Sequence, residues 1–309
     1  MGCSSRFDVC VCGSCESGVK GDEGWFQHIA LIKQPETHTF HLPWGECTIT
    51  LEDVALHLGI RVDSRVVTGP SFLHWDELCH ELLGEVPPEN ARKGAALKLT
   101  WLLSMCRAYI MYMIGGALIP DKSGNRVHLM YLNLLRDLNN PKKYIWGSAC
   151  LANLYRELCR ASSEVGKVMG GCAILLQSWA WYRMPFIAQR VPRPETTFPL
   201  AKRWSGGRLE YKATPHGDLV GYRSRIDHMK SHEFSCVPYR GFEEHLPRRA
   251  YRDMEIWSAC TAIICFLIVE WHQTNRVKLQ FGLQQDIPVD PMNLDLLHQI
   301  DMRGNHYID

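Results

Sequence analysis

Glu36-Thr37-His38-Thr39-Phe40-His41-Leu42-Pro43-Trp44-Gly45-Glu46-Cys47-Thr48-Ile49-Thr50-Leu51-Glu52-Asp53 is where strand alternation, turn chemistry and helix capping meet in one short stretch. His38, Phe40 and Leu42 alternate with Thr39 and His41, the period of a half-buried strand. Pro43-Trp44-Gly45-Glu46 supplies a turn: proline fixes φ and glycine is free to take positive values. Cys47-Thr48-Ile49 reads as the return strand. Thr50 precedes Asp53 by three positions, the spacing of a capping box, and a helix is expected from Leu51 to Leu58 with Gly59 as its stop. Val62-Asp63-Ser64 and Thr68-Gly69-Pro70 close the unit.

Downstream, apolar spacing points to helix. Trp75, Leu78 and Leu82 form a stripe that ends at Gly84, and Pro87-Pro88 is a linker. Leu97 to Ile119 reads as one long, almost wholly apolar helix. Gly115-Gly116 would let another backbone approach it, and Pro120-Asp121 would end it. Asp121-Lys122-Ser123-Gly124-Asn125 is a turn-rich loop without the carboxylates and late glutamate of a calcium loop. Further helices are expected at His128–Leu138, around Leu151–Leu158 (with Arg156, Glu157 and Arg160 on the face opposite Leu151, Leu154, Tyr155 and Leu158), at Ala173–Trp181, from Leu219 to Met229, at Trp257–His272 and at Leu294–Ile300. The proline-, glycine- and charge-rich stretch 190–217 is a candidate connection between subdomains. The fold class expected is mainly α, one large helical domain with a small β-hairpin near its start.

Composition narrows the function classes. The 309 residues carry a net charge of +1, so nucleic-acid binding would need a local patch rather than bulk charge. Thirteen cysteines, scattered and odd in number, suit reduced thiols rather than a disulfide framework. No signal peptide is read at the start. The apolar runs Leu99–Ile119 and Ala259–Val269 are read as core segments: the first carries Arg107 at mid-length and the second is too short to cross a bilayer, so no membrane span is expected. Met1-Gly2-Cys3 resembles an acylation signal, but Arg6 replaces its usual hydroxyl residue. Cys12-Gly13-Ser14-Cys15, with Cys10 nearby, has the spacing of half a zinc site with no second half. Residues 1–24 read as a divergent, disordered tail, and 25–309 as the domain.

The chain resembles the plant mobile domain, also called "aminotransferase-like", of plant transposons and of host proteins of the MAINTENANCE OF MERISTEMS type. The resemblance rests on His38 to Pro43, Gly45 to Ala55, Leu58-Gly59-Ile60, Val67-Thr68-Gly69, Ile114-Gly115-Gly116, Pro120 to Leu129, Trp146 to Ala149, Leu154 to Ala161, Gly170-Gly171-Cys172 and Leu176 to Trp181. It continues in Val269 to Gln273, Arg276-Val277, Gln280 to Gln285 and Ile300 to Gly304, covering roughly residues 35 to 305 in order. It marks His38, Phe40, Leu42, Pro43, Gly45, Asp53, Gly59, Gly115, Gly116, Asp121, Gly124, Trp179, Trp181, Trp271 and His272 as structural. Ala30-Leu31-Ile32-Lys33-Gln34-Pro35 stands where the family shows an entry helix, which implies a truncated, rearranged or mis-spliced start. The resemblance implies a nuclear, transposon-derived module linked to meristem maintenance, transposon silencing and gene expression. It also implies a partner that is phosphatase-like or carries the same domain.

Catalytic signatures are missing from the sequence. It holds no phosphate loop, dinucleotide fingerprint, nucleophile elbow or His-Glu-x-x-His. A helical pattern offers no scaffold for a Schiff-base lysine and its pyridinium partner, so neither a cofactor nor an enzyme is expected. Glu270, His272 and the pair His38/His41 remain as acid–base or metal candidates, weighed against satisfied structural polar groups. Asp53 to Gly59 faintly resembles the start of a helix-turn-helix, without a recognition helix after it. Arg190, Arg193, Lys202, Arg203, Trp204, Arg208, Tyr211 and Lys212 interleave cations with aromatics, a composition suited to phosphate contact and base stacking, or to a solvated loop. Protein scaffolding and nucleic-acid binding therefore stay open, and the near-neutral charge favours scaffolding.

Overall fold

The computed structural model describes residues 33–70, 73–104, 106–121, 123–137, 144–162, 169–205 and 219–292. The Gly2/Cys3 signal, the Cys10–Cys15 cluster, Arg208, Tyr211, Lys212 and the expected helix at 294–300 lie outside these residues.

The opening unit is a three-stranded antiparallel sheet, β1 (Lys33–Gln34), β2 (Thr39–Leu42) and β3 (Gly45–Cys47), in that order. Phe40 pairs with Cys47 and Leu42 with Gly45. The return strand starts and ends two residues earlier than its sequence suggests. The cause is Thr48, whose backbone N–H donates to Gln280 Oε1 (2.7 Å) and whose carbonyl accepts from Gln280 Nε2 (2.9 Å). A side-chain amide thus takes the place of a neighbouring strand. Phe40 is buried against the Trp179 ring, 5.2 Å between centroids, while Leu42 is only half-buried.

Helix α1 (Leu51–Leu58) begins with the capping box read from the sequence. The Asp53 N–H donates to Thr50 Oγ1, and Asp53 Oδ2 accepts from the Thr50 N–H (2.7 Å), so two otherwise orphaned donors are satisfied. Gly59 ends the helix at φ 67°, and a Cβ there would lie 2.8 Å from Pro199 Cγ, so both conformation and space demand glycine.

Helix α2 (Trp75–Leu83) stops at Gly84 as its pattern suggests. A second small sheet follows, which the sequence reading missed: β4 (Arg92–Lys93), β5 (Ala96–Lys98) and β6 (Arg126–His128), antiparallel in that order. It consumes the start of the long apolar run. The rest of that run is not one helix but a 3₁₀ segment (Leu99–Ser104), α3 (Cys106–Met113) and a π-turn (Ile114–Leu118). Gly115 explains the π-turn: a Cβ there would sit 2.4 Å from Val127 Cβ of β6. What the bare Cα admits is the Val127 and Leu99 side chains, not the second backbone that the glycine pair suggests. In the next loop, Asp121 Oδ1 accepts from the Ser123 and Gly124 N–H groups, a structural turn with Gly124 at φ 63°.

Helix α4 (Met130–Asn133) is shorter than its apolar pattern. Helices α5 (Trp146–Ala161) and α6 (Ala173–Arg183) form the centre: α1 packs on both, and Leu151, Leu154, Leu175 and Leu176 are fully buried. Helix α7 (Leu219–Asp227) follows. The stretch 257–272 is not a helix. It folds as an antiparallel hairpin, β7 (Thr261–Cys265) and β8 (Ile268–His272), laid on α5. Its β-branched residues favour strand, and Phe266 supplies the turn at φ 52° without a glycine to announce it. Helix still predominates over strand. No helix among the described residues is long and apolar enough to cross a membrane.

Candidate functional site

Two buried polar networks lie around α1, α5 and α6. The first is centred on Asp53, which is wholly buried. Its Oδ1 accepts from Arg183 Nη2 (3.1 Å) and from the Tyr239 hydroxyl (2.6 Å). Arg183, also wholly buried, donates to the Cys236 carbonyl and lies over the Trp179 and Tyr239 rings. Burial works against its charge, but the Asp53 carboxylate overrides this and holds the guanidinium above its ordinary pKa. Burial, then Asp53, pushes the Tyr239 hydroxyl well above the usual phenol range.

His57 extends the chain of bonds. Its Nε2 lies 2.6 Å from the Tyr239 oxygen and its Nδ1 2.6 Å from Ser178 Oγ. Because Tyr239 spends its proton on Asp53, His57 Nε2–H must donate to it, and Nδ1 must accept from Ser178. The order Ser178, His57, Tyr239, Asp53, Arg183 has the connectivity of a proton relay, yet every member is buried and bonds to its neighbour in the series. Packing is the better account of it.

The second network joins the turn before β2 to α5 and β8. His38 Nε2 lies 2.9 Å from Glu270 Oε2, and Arg156 Nε lies 2.5 Å from Glu270 Oε1. All three side chains are buried, so the face of α5 that carries Arg156 and Glu157 is an interior face rather than a wet one. His38 stacks on Tyr155, and the Tyr155 hydroxyl donates to the Ile49 carbonyl (2.6 Å). His272 Nδ1 donates to the Ala259 carbonyl (3.1 Å), and its Nε2 accepts from the Leu51 N–H at 3.4 Å, tying β8 to the start of α1.

His38 and His41 do not act together. His38 lies in the turn before β2, at a left-handed φ of 55°, and is buried, whereas His41 on β2 is exposed, 3.7 Å from Glu46. Glu46 is held by a two-pronged bond from Arg276. Among the described residues no group of three or more His, Cys, Asp or Glu is placed to hold a metal.

The basic and aromatic stretch is dispersed. Trp204 is buried, packs edge-on against Trp181 and Tyr182, and donates to the Gln189 carbonyl, so its face is not available to a base. Arg193 donates to the Lys202 carbonyl and Ser205 Oγ. Arg203 lies over the Trp204 ring and pairs with Glu195. Of the described members, Arg190 and Lys202 are the exposed ones. Sequence reasoning missed Arg156, Ser178, Arg183 and Tyr239. The available signal was a cation inside or closing an otherwise apolar helix, since such a cation needs a buried partner.

Comparison with known proteins supplies the family. A model of the plant mobile domain matches residues 26–306. The chain belongs to the plant mobile domain family. The Serine/threonine-protein phosphatase 7 long form homolog of Arabidopsis thaliana is 39% identical over 313 residues, which cover 91% of this chain and 23% of that relative. Protein MAIN-LIKE 2 of the same organism is 34% identical over 82% of this chain and 41% of its own length. Protein MAINTENANCE OF MERISTEMS is 31% identical over 92% of this chain and 65% of its own length. This plant mobile domain thus spans less than two thirds of the length of these curated relatives. No solved structure matches it.

Two buried histidines make the stability of the domain depend on pH. Burial lowers the pKa of His57 to about 3 and that of His272 to about 4. In the unfolded chain histidine titrates near ~6.5. The unfolded state therefore binds more protons below that value, and stability is lost as pH falls. Each histidine should add a slope of up to about 1.4 kcal/mol per pH unit between roughly pH 6.5 and its folded pKa. Urea titrations at pH 7, 6 and 5 check this. A midpoint that is level or rises over this range would contradict it.

Proposed function

We propose that this plant mobile domain is a non-enzymatic, nuclear protein-interaction module of transposon-derived type. In this reading it serves meristem maintenance, transposon silencing and gene expression. Residues 25–309 act as one unit, in keeping with a contiguous core that runs from Phe40 to Ile268. The partner is a phosphatase-like protein or another plant mobile domain. The relatives' names, one a phosphatase 7 long form homolog and one MAINTENANCE OF MERISTEMS, support the role and the partner class.

The observation that carries the interaction reading is the stretch Leu283–Met292. Lys278 pairs with Asp286, Gln285 Oε1 accepts from the Lys278 N–H, and Arg276 reaches the Val289 carbonyl. Polar bonds thus hold the backbone down while its apolar side chains face water. Ile287 is 95% exposed and Val289 68%, with Leu283 and Met292 about half exposed. A fixed line of exposed aliphatic residues is a protein-binding feature. The acid–base groups, by contrast, spend their bonds on one another.

Affinity purification from nuclei, with and without nuclease, tests the reading. A partner should survive nuclease treatment and be lost in an Ile287→Asp, Val289→Asp double variant that melts like the parent. Loss of every partner on nuclease treatment, with steeply salt-dependent DNA or RNA binding by the pure protein, would instead favour contact through the 190–212 stretch.

A further inference from the structure

Cys159 lies on α5 one turn beyond Arg156 and Tyr155, and it is partly exposed. Its Sγ is 3.4 Å from His38 Nδ1. The other ring nitrogen of His38 faces the Glu270 carboxylate at 2.9 Å. A carboxylate only accepts, so His38 carries its proton on Nε2 and presents a lone pair at Nδ1 to the thiol. Thiol, imidazole and carboxylate are therefore in line, in the order and tautomer that activate a nucleophile.

The arrangement is held firmly. His38 occupies a left-handed backbone conformation at φ 55°, a strained position for a residue with a side chain. Its ring stacks on Tyr155 at 4.7 Å, and its carbonyl accepts from Thr48 Oγ1 at 2.6 Å. Glu270 is fixed in turn by Arg156 Nε. Three elements far apart in sequence thus aim one imidazole at one sulfur. Cys260 offers a contrast within the same chain. It is exposed, but its neighbours are Trp271 Nε1 (3.3 Å) and Asn275 Oδ1 (3.6 Å), neither of them a base.

We propose that Cys159 is an activated thiol that forms a mixed disulfide with a low-molecular-weight disulfide. The Sγ proton passes to His38 Nδ1, and the imidazolium is stabilised by Glu270. The thiolate attacks one sulfur of the incoming disulfide, a new S–S bond forms and the old one breaks. The departing thiolate takes the proton back from His38. The oxidant is the disulfide itself, and excess free thiol reverses the step. This is a stoichiometric modification rather than a turnover, and it stands independently of the interaction reading.

The test is competition within the intact chain. The protein is exposed to oxidised glutathione, quenched at intervals and mapped by mass spectrometry. Between these two cysteines, exposure alone would put Cys260 ahead; activation by His38 puts Cys159 ahead. In His38→Asn, which tolerates the left-handed backbone but supplies no base, the rate at Cys159 should fall about a hundredfold, the lower end of general-base assistance. The rate at Cys260 should be unchanged. If His38→Asn melts at the assay temperature, Glu270→Gln is read in its place with the same criterion. Cys260 leading or matching Cys159 in the unaltered chain overturns the proposal whatever the variants do, as does a Cys159 rate that ignores the loss of the imidazole.

Discussion

Replacing Asp53 by alanine is expected to cost on the order of 3–5 kcal/mol, the usual penalty for stranding a buried charge. The stranded charge is Arg183, wholly buried and facing the Asp53 carboxylate. The Tyr239 hydroxyl loses its acceptor in the same step, and α1 loses the return half of its capping box. A domain of ordinary stability has about 5–15 kcal/mol in total, so much of the population should unfold. Urea unfolding of Asp53→Ala against the parent measures the loss. Adding Arg183→Met should restore part of it, since an apolar side chain leaves no charge behind. A single variant that melts within a degree or two of the parent would mean that water reaches Arg183 and that the network is not sealed.

Phe40→Ala should cost about 3–5 kcal/mol, because the cavity forms where the surroundings have little freedom to collapse. On one side the Trp179 ring is held in α6, and on the other Phe40 is paired across the hairpin with Cys47. Leu42→Ala, two residues along the same strand, is the comparison: its side chain is only half-buried and its loss should be clearly smaller. Thermal melts of the two variants decide the point. Equal shifts would place Phe40 and Leu42 in equivalent surroundings and contradict the packing described.

What was legible from the sequence follows what is local. The Thr50–Asp53 cap, the Gly59 and Gly84 stops and the Asp121–Asn125 turn need only neighbouring residues, and they occur where expected. The stretch 257–272 was misread because an apolar run without glycine or proline fits a buried helix and a buried hairpin equally well. The long run from Leu97 was misread because the element that breaks it, Val127 of β6, comes later in the chain. The polar networks were visible only in pieces. His38 and Glu270 were suspected as reactive groups, but nothing local joins them to each other or to Arg156. Trp204 looked like a stacking surface because composition does not tell which way a ring faces.

The clasp between Thr48 and Gln280 has a temporal side. The two residues are 232 positions apart. At ribosomal rates of about 5–20 residues per second, roughly 10–50 s pass between their syntheses. Throughout that interval the Thr48 backbone groups have no native partner, and Phe40 lacks the Trp179 ring for most of it. The nascent hairpin is therefore an adhesive edge, and chaperone occupancy there should rise until residue 280 has cleared the exit tunnel. Emergence of residue 280, rather than of the first helix, is the event that closes the hairpin's open edge.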